Sequence, residues 1–173
     1  MFAFKQILSG ASRRALAIGG CLAVILMGAA LTASAQDQSA AKPGDAIVAR
    51  KTMMDTLSDH MDQIEAMIQA NKINLKEANE HADTISVMLM AFPHLFPPST
   101  NQWKAGTDPD PVTGTFASPD VWTKFADFYK RANDASKTAY DMSRAEKVDD
   151  LKAKTVQLRT DCNGCHAAYL KMQ

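Results

Sequence analysis

The 173-residue chain contains only three cysteines and has no excess of charge of either sign, with 19 basic and 19 acidic residues. Only Cys162 and Cys165 lie beyond the first 35 residues, which leaves no third thiol there for a separate structural disulfide. The sequence also lacks the alternation of apolar and polar residues that is typical of β-strands. No paired carboxylates or nucleophile-base spacing stand out beyond chance, so the sequence gives little support to an enzymatic function.

The first 35 residues have the pattern of a secretory signal peptide. Lys5, Arg13 and Arg14 precede an apolar run, and the small residues at 33–35 are suitable for cleavage. A retained membrane anchor is the alternative, but glycines interrupt the run, which is short for a helix that must cross about 30 Å of hydrocarbon. We therefore expect export, cleavage near Ala35, and no stable membrane anchor afterwards.

Residues 36–173 have a length suited to one domain with one core. Without the three basic residues of the signal segment, 16 basic residues stand against 19 acidic ones, which gives a net charge of −3. This charge gives nucleic-acid binding no electrostatic support.

Two helices are predicted in the first half of this domain, because apolar residues recur there at intervals of three and four. The first covers residues 45–70 and follows Pro43-Gly44, which suits a helix start. The second covers residues 75–92, and Asn74 with Glu77 forms a capping pair at its beginning.

Two further helices are predicted after a long loop at residues 93–118. The third has Ser118 as its N-cap and Pro119 as its first helical residue, and it extends to Met142. The fourth covers residues 148–172. Short links make the first and last pairs of helices antiparallel neighbours, so the sequence predicts an all-α four-helix bundle.

The fourth helix carries Cys162-Asn163-Gly164-Cys165-His166 close to the end of the chain. Two thiols at this spacing can each form a thioether with one vinyl group of haem, and the adjacent imidazole can bind the iron as proximal ligand. A thioredoxin-like redox couple is the first alternative, but its first thiol is expected at a helix N-terminus. Zinc is the second, but a structural zinc site usually takes four ligands. The motif therefore favours one covalent haem c, enclosed between the fourth helix and the start of the first.

Met54 is the candidate ligand for the opposite side of the iron. The periodicity of the first helix places it inward with Leu57 and Met61, where its thioether could serve as a soft ligand. Met53 is a lesser candidate, because it points to the flank of the apolar face. The alternative for Met54 is ordinary core packing, which is the usual role of a methionine on an apolar stripe.

Arg50 lies near the same apolar face, where an unpaired guanidinium is costly to bury. A haem propionate would satisfy its charge, and the alternative is that the side chain extends along the edge to water. His60, His81 and His94 are assigned to the surface or to packing.

Four aromatic residues of the last two helices are expected to form an apolar wall around the porphyrin, namely Trp122, Phe125, Phe128 and Tyr169. Low dielectric there would raise the reduction potential of the iron, because burial disfavours the extra positive charge of the ferric state.

The pattern resembles the class II cytochromes c, the group that contains cytochrome c′ and its low-spin relatives. The resemblance covers residues 36–173 and rests on five segments: residues 42–45, residues 50–54, the Phe-Pro pairs at 92–93 and 96–97, residues 118–122, and the haem motif near the C-terminus. It implies an up-down-up-down bundle in a bacterial periplasm, often a homodimer.

The resemblance also implies roles for individual residues. His166 matches the proximal ligand, and Cys162 and Cys165 match the thioether positions. Met54 falls where five-coordinate members have a non-ligating apolar residue and low-spin members have a methionine. The family commonly has a basic residue where this chain has Leu170, so a cation on the proximal side would have to come from Lys171.

Two functional hypotheses follow. The leading one is a periplasmic carrier that exchanges single electrons with redox partner proteins through a haem ligated by His166 and Met54. The alternative is a five-coordinate cytochrome c′ that binds nitric oxide or carbon monoxide at a vacant distal site, with Met54 packed over it.

Overall fold

The computed structural model describes residues 42–171 of the chain, and the predicted signal peptide lies outside them. Within the described residues the regular elements are helices, and the single β-type contact is an isolated antiparallel bridge between Ala117 and Leu170. The predicted all-α class is therefore confirmed. No helix in this part of the chain has both the length and the apolar character that crossing a bilayer requires.

Four long helices build the bundle, and a single short helix precedes the third of them. They are α1 (Pro43–Gln69), α2 (Leu75–Ala91), the short α3 (Asp120–Thr123), α4 (Phe125–Met142) and α5 (Val148–Tyr169). The crossover between α2 and α3 contains two 3₁₀ turns, Phe92–Leu95 and Pro98–Thr100. The sequence analysis treated these residues as loop, except for Phe92, which it placed at the end of the second helix.

The first two helices begin as their sequences predict. Pro43 occupies the first turn of α1, where its missing N–H costs no hydrogen bond, and the Lys42 backbone N–H donates to Asp45 Oδ2 over 3.1 Å. At the start of α2, Asn74 Oδ1 accepts from the Glu77 backbone N–H over 3.3 Å. The capping pair of Asn74 and Glu77 is therefore confirmed.

The third predicted helix is interrupted, and Ser118 does not cap it. Lys124 has φ −119° and ψ 36°, which separates the short α3 from α4. The Ser118 hydroxyl is buried without a hydrogen-bond partner, while its backbone N–H donates to the Tyr169 carbonyl over 2.8 Å. The short α3 therefore begins without a side-chain cap, and the Ser118 backbone N–H is paired with the end of α5.

The core consists of two adjoining clusters. The first fills the middle of the bundle with aliphatic residues of α1, α2, α4 and α5, including Met61, Ile64, Ile85 and Leu158. The second lies at one end and is mainly aromatic: Phe92, Phe96, Val121, Phe128 and Tyr169.

Candidate functional site

A cavity of about 330 Å³ lies where the two core clusters meet, with walls from α1, α2, α4 and α5. All five residues that the sequence analysis selected for the site line it: Arg50 and Met54 from α1, and Cys162, Cys165 and His166 from α5. The rest of the wall is mostly apolar, with Leu57, Met61, Ile85, Leu89 and Phe128 among its members. The position between the last helix and the start of the first agrees with the sequence-based expectation for the haem.

The two thiols are half-buried within α5, and each faces a different part of the core. Cys162 packs against the aliphatic cluster and Cys165 against the aromatic one. Burial raises the pKa of Cys162 and raises that of Cys165 to about 11. A reactive redox couple needs a lowered thiol pKa, so the environment of this pair disfavours the thioredoxin-like alternative.

The zinc alternative also lacks support from the geometry. Among residues 42–171, no three His, Cys, Asp or Glu side chains gather in a group that could hold a metal ion. Partial burial lowers the pKa of His166, and the positive charge of Arg159 lowers it further. A neutral imidazole keeps a free lone pair at neutral pH, and this is the form that binds iron.

Arg50 is buried, with only 4% of its surface exposed, so the alternative in which its side chain reaches water is wrong. Its Nη1 and Nη2 donate to the hydroxyls of Thr100 and Thr115 over 2.9 and 2.5 Å. The guanidinium also lies 4.5 Å from the Phe96 ring centroid and 5.8 Å from that of Trp122. Burial lowers its pKa to about 10.

The contacts of Arg50 leave its guanidinium able to pair with an anion in the cavity. Both hydrogen-bond acceptors of Arg50 are neutral hydroxyls, so they leave its positive charge uncompensated at the cavity wall. A propionate is the anion that haem would bring. Two thiols, an imidazole, an apolar wall and a buried cation thus fit the chemistry of haem c.

Met54 and Met53 differ in one respect that matters here. Both are half-buried and pack against both core clusters, but Met54 lines the cavity and Met53 is not part of its wall. The inward position of Met54 that the periodicity predicted is therefore observed. Whether its sulfur binds iron stays a prediction.

Of the four aromatic residues that were expected to surround the porphyrin, two line the cavity and two do not. Phe128 and Tyr169 line the cavity as expected, whereas Trp122 and Phe125 do not. Phe125 is 39% exposed. Trp122 packs behind Phe96, with ring centroids 6.0 Å apart, and its Nε1–H donates to the Phe96 carbonyl over 3.1 Å.

Phe92 and Phe96 line the cavity instead of Trp122 and Phe125. Both belong to Phe-Pro pairs that carried the family resemblance, which was the one signal that could have identified them. The three histidines His60, His81 and His94 are not part of the wall, in agreement with their assignment to surface or packing.

A family model for cytochrome c′ matches residues 45–170. The chain belongs to the cytochrome c′ family. The match extends from the first turn of α1 to the end of α5, so it covers the whole bundle. Membership confirms the cofactor as a covalently bound haem c with iron.

Individual relatives support this assignment over nearly their whole length. Cytochrome c-556 of Agrobacterium tumefaciens (strain II Chrys) is 31% identical over 124 residues, which cover 69% of this chain and 92% of the relative. Cytochrome c′ of Rubrivivax gelatinosus is 29% identical over 132 residues, which cover 74% of this chain and 95% of the relative.

The fold has close counterparts among solved structures. The crystal structure of cytochrome c′ from Thermochromatium tepidum superposes with a TM-score of 0.66 at 19% identity and covers 75% of this chain and 97% of that chain. At this identity the likeness shows the fold alone, and it confirms the antiparallel up-down-up-down four-helix bundle. The low-spin branch of the family, which the residues around Met54 resemble, stays a prediction.

The comparisons also bear on the two functional hypotheses. The matching family and two curated relatives carry the name cytochrome c′. These names agree with the alternative hypothesis, in which the protein is a cytochrome c′.

Two arginines provide the positive charge near the motif that Leu170 cannot provide. Arg131 on α4 and Arg159 on α5 both line the cavity. A Cβ built on Gly164 would lie 3.9 Å from Nη1 of Arg131, so this arginine borders the motif directly. The sequence analysis had named only Lys171 for this role.

Arg131 is held in place by a small network that joins α4 to α5. Its Nε–H donates to Asp127 Oδ2 over 2.7 Å, and the Tyr169 hydroxyl donates to the same oxygen over 2.5 Å. The hydrogen bond from Arg131, followed by that from Tyr169, lowers the pKa of Asp127.

We expect this network to make stability depend on pH in the acid range. Since folding lowers the pKa of Asp127 below its ordinary 3.8, the carboxylate stabilises the fold above that value, and the stabilisation is lost as the pH falls through the folded pKa. Asp127→Asn should lower the free energy of unfolding at neutral pH and weaken its decline in acid. Urea unfolding at several pH values checks this, and an unchanged pH slope in the variant would contradict it.

Proposed function

We propose that this cytochrome carries single electrons in the periplasm, with His166 and Met54 as the two axial ligands of a haem c held by Cys162 and Cys165. When bound, haem c supplies an iron that gains and loses one electron. The observation that supports the proposal is that an imidazole from α5 and a thioether from α1 border one cavity.

These residues have separate roles in attaching the haem and binding its iron. Cys162 and Cys165 fix the cofactor to α5, and the lowered pKa of His166 keeps its ring neutral and able to ligate. The thioether of Met54 is a soft ligand that favours the reduced state. The apolar wall excludes water, and with the buried charge of Arg50 it disfavours the ferric form.

Gas binding is the second candidate, and the comparisons favour it. In this candidate His166 is the only protein ligand, Met54 packs over an open distal position, and nitric oxide or carbon monoxide enters there. We place the carrier first because a family name does not specify which side chain lies at the distal position, and this chain has a thioether at the cavity wall.

The optical spectrum of the haem-loaded ferric protein separates the two candidates. Methionine ligation should give a low-spin spectrum with a methionine-to-iron band in the far red, and no prompt change when carbon monoxide is added to the reduced protein. A high-spin ferric spectrum with prompt carbon monoxide binding would establish the gas binder in place of the carrier.

Arg50→Met should lower the reduction potential of the haem-loaded protein. The variant removes a buried positive charge that opposes the ferric state, and loss of its two hydrogen bonds should cost about 2 kcal/mol of unfolding free energy. Arg144→Met makes the same charge change at an exposed site paired with Asp83, and should leave the potential unchanged. Equal potentials in Arg50→Met and the wild type would contradict the assignment of Arg50 to a propionate.

The proposal includes redox proteins as partners, which an electron carrier requires, and a homodimer, which the family resemblance implies. The mass of the haem-loaded protein in solution, measured by light scattering, checks the dimer. A monomer at every concentration would remove that part of the proposal and leave the ligand assignment intact.

A further inference from the structure

A pair of histidines lies in contact between α1 and α2, outside the cavity wall. His60 of α1 and His81 of α2 have their Nδ1 atoms 2.7 Å apart and their ring centroids 5.0 Å apart. Both side chains are half-buried, and neither belongs to the cavity wall. Nothing in the electron-transfer proposal uses this pair.

The contact can hold either a proton or a metal ion. With both rings neutral, one Nδ1–H donates to the lone pair of the other Nδ1. If both rings instead carry their proton on Nε2, the two Nδ1 lone pairs are free to bind one cation, and the number of bound protons stays the same. Exchange of the hydrogen bond for a metal ion therefore needs a change of tautomer in one ring.

A metal ion at this pair requires both rings to turn from their hydrogen-bonded orientation. Ligands about 2.0–2.1 Å from the metal lie roughly 2.9 Å apart at a right angle and roughly 3.3 Å apart in a tetrahedron. The observed Nδ1 separation of 2.7 Å is a few tenths of an ångström below these values. The ring centroids are 5.0 Å apart, so the two Nδ1 lone pairs point nearly at each other. Each ring must therefore turn by roughly 20–40° before both lone pairs reach one ion.

We propose that His60 and His81 form a binding site for a divalent transition-metal ion, with Cu²⁺ bound most tightly. Imidazole suits copper, nickel and zinc, and Cu²⁺ has the highest affinity among these ions for a given set of nitrogen ligands. The carboxylate of Asp59, next to His60 in sequence, adds a favourable negative charge. Since residues 42–171 contain no cluster of three or more such ligands, water completes the coordination and the ion is exchangeable.

Calorimetric titration of the haem-loaded protein with copper sulfate, and separately with zinc chloride, tests this site. The wild type should bind one Cu²⁺ per chain, more tightly than Zn²⁺. His60→Gln and His81→Gln should each weaken Cu²⁺ binding roughly tenfold or more, because loss of even an indirect partner of a metal ligand costs about that much. His94→Gln, at an exposed histidine outside the pair, is the matched control and should bind as the wild type does.

Electron paramagnetic resonance of the Cu²⁺-loaded wild type gives a readout that does not depend on the variants. Hyperfine structure from two nitrogen ligands is expected. A signal with fewer than two nitrogens, or equal Cu²⁺ affinity in the wild type and His60→Gln, would show that the pair is a hydrogen bond only. The optical spectrum of the haem, recorded in the same samples, distinguishes binding at the pair from displacement of an axial ligand.

Discussion

Met54→Ala should convert the ferric protein from low spin to high spin and abolish the methionine-to-iron band in the far red. Alanine has no sulfur, and Met61, the other methionine of the cavity wall, is only 4% exposed and packed into the aliphatic cluster. The reduced variant should also bind carbon monoxide promptly, because the distal position is then open. Optical spectra with and without carbon monoxide measure both effects.

Met53→Ala is the matched control for this experiment. Met53 is the neighbouring residue, is half-buried like Met54 and packs against the same two clusters, but it does not line the cavity. Each variant should lose about 2 kcal/mol of unfolding free energy, at the lower end of the range for methionine-to-alanine changes in cores. Only Met54→Ala should change the spectrum, and identical spectra for Met54→Ala and the wild type would eliminate Met54 as a ligand.

Simultaneous replacement of Cys162 and Cys165 by alanine should abolish covalent haem. Both thioether bonds are lost in this variant, while His166 and the apolar wall remain. Any haem that still binds should then be removed by extraction with acidified organic solvent, from which a thioether-bound haem is not released. Mass spectrometry of the extracted polypeptide measures the loss.

Single replacements and a distant cysteine provide the controls for this prediction. Cys162→Ala and Cys165→Ala should each keep one thioether and therefore some covalent haem. Cys21→Ala, in the predicted signal segment, should leave haem attachment unchanged. A double variant that still gained the mass of one haem would show that attachment does not depend on this pair.

Local sequence signals predicted the long helices well. The recurrence of apolar residues at intervals of three and four depends only on helix geometry, and the capping pair Asn74 and Glu77 satisfies backbone groups within four residues. The motif at Cys162, Cys165 and His166 is equally local, since one helix positions all three side chains. These features could therefore be predicted without knowledge of the tertiary fold.

The features that the sequence did not predict depend on contacts between distant parts of the chain. Ser118 has the residue type of an N-cap, but its hydroxyl has no hydrogen-bond partner, and its backbone N–H makes a tertiary contact with the Tyr169 carbonyl that no local pattern indicates. Arg50 is buried because Thr100 and Thr115, from the crossover loop, supply its hydrogen bonds. No periodic pattern marks either threonine as a partner.

The cavity wall likewise contains residues that a local pattern predicts and residues that only tertiary contacts bring there. Phe128 belongs to the periodic face of α4, and its inward position follows from that pattern. Phe92 and Phe96 reach the wall because 3₁₀ turns fold the start of the crossover back over the end of the bundle. Arg131 reaches the motif from a different helix, so the sequence around Leu170 contained no sign of it.

The central claim is that a haem is attached through Cys162 and Cys165 at the end of α5 and is enclosed by the bundle. The most direct test is the intact mass of the wild-type chain, produced together with a cytochrome c maturation system and denatured before measurement. We predict a red protein whose denatured polypeptide retains the added mass of one haem. A colourless product with the mass of the bare polypeptide would contradict the account.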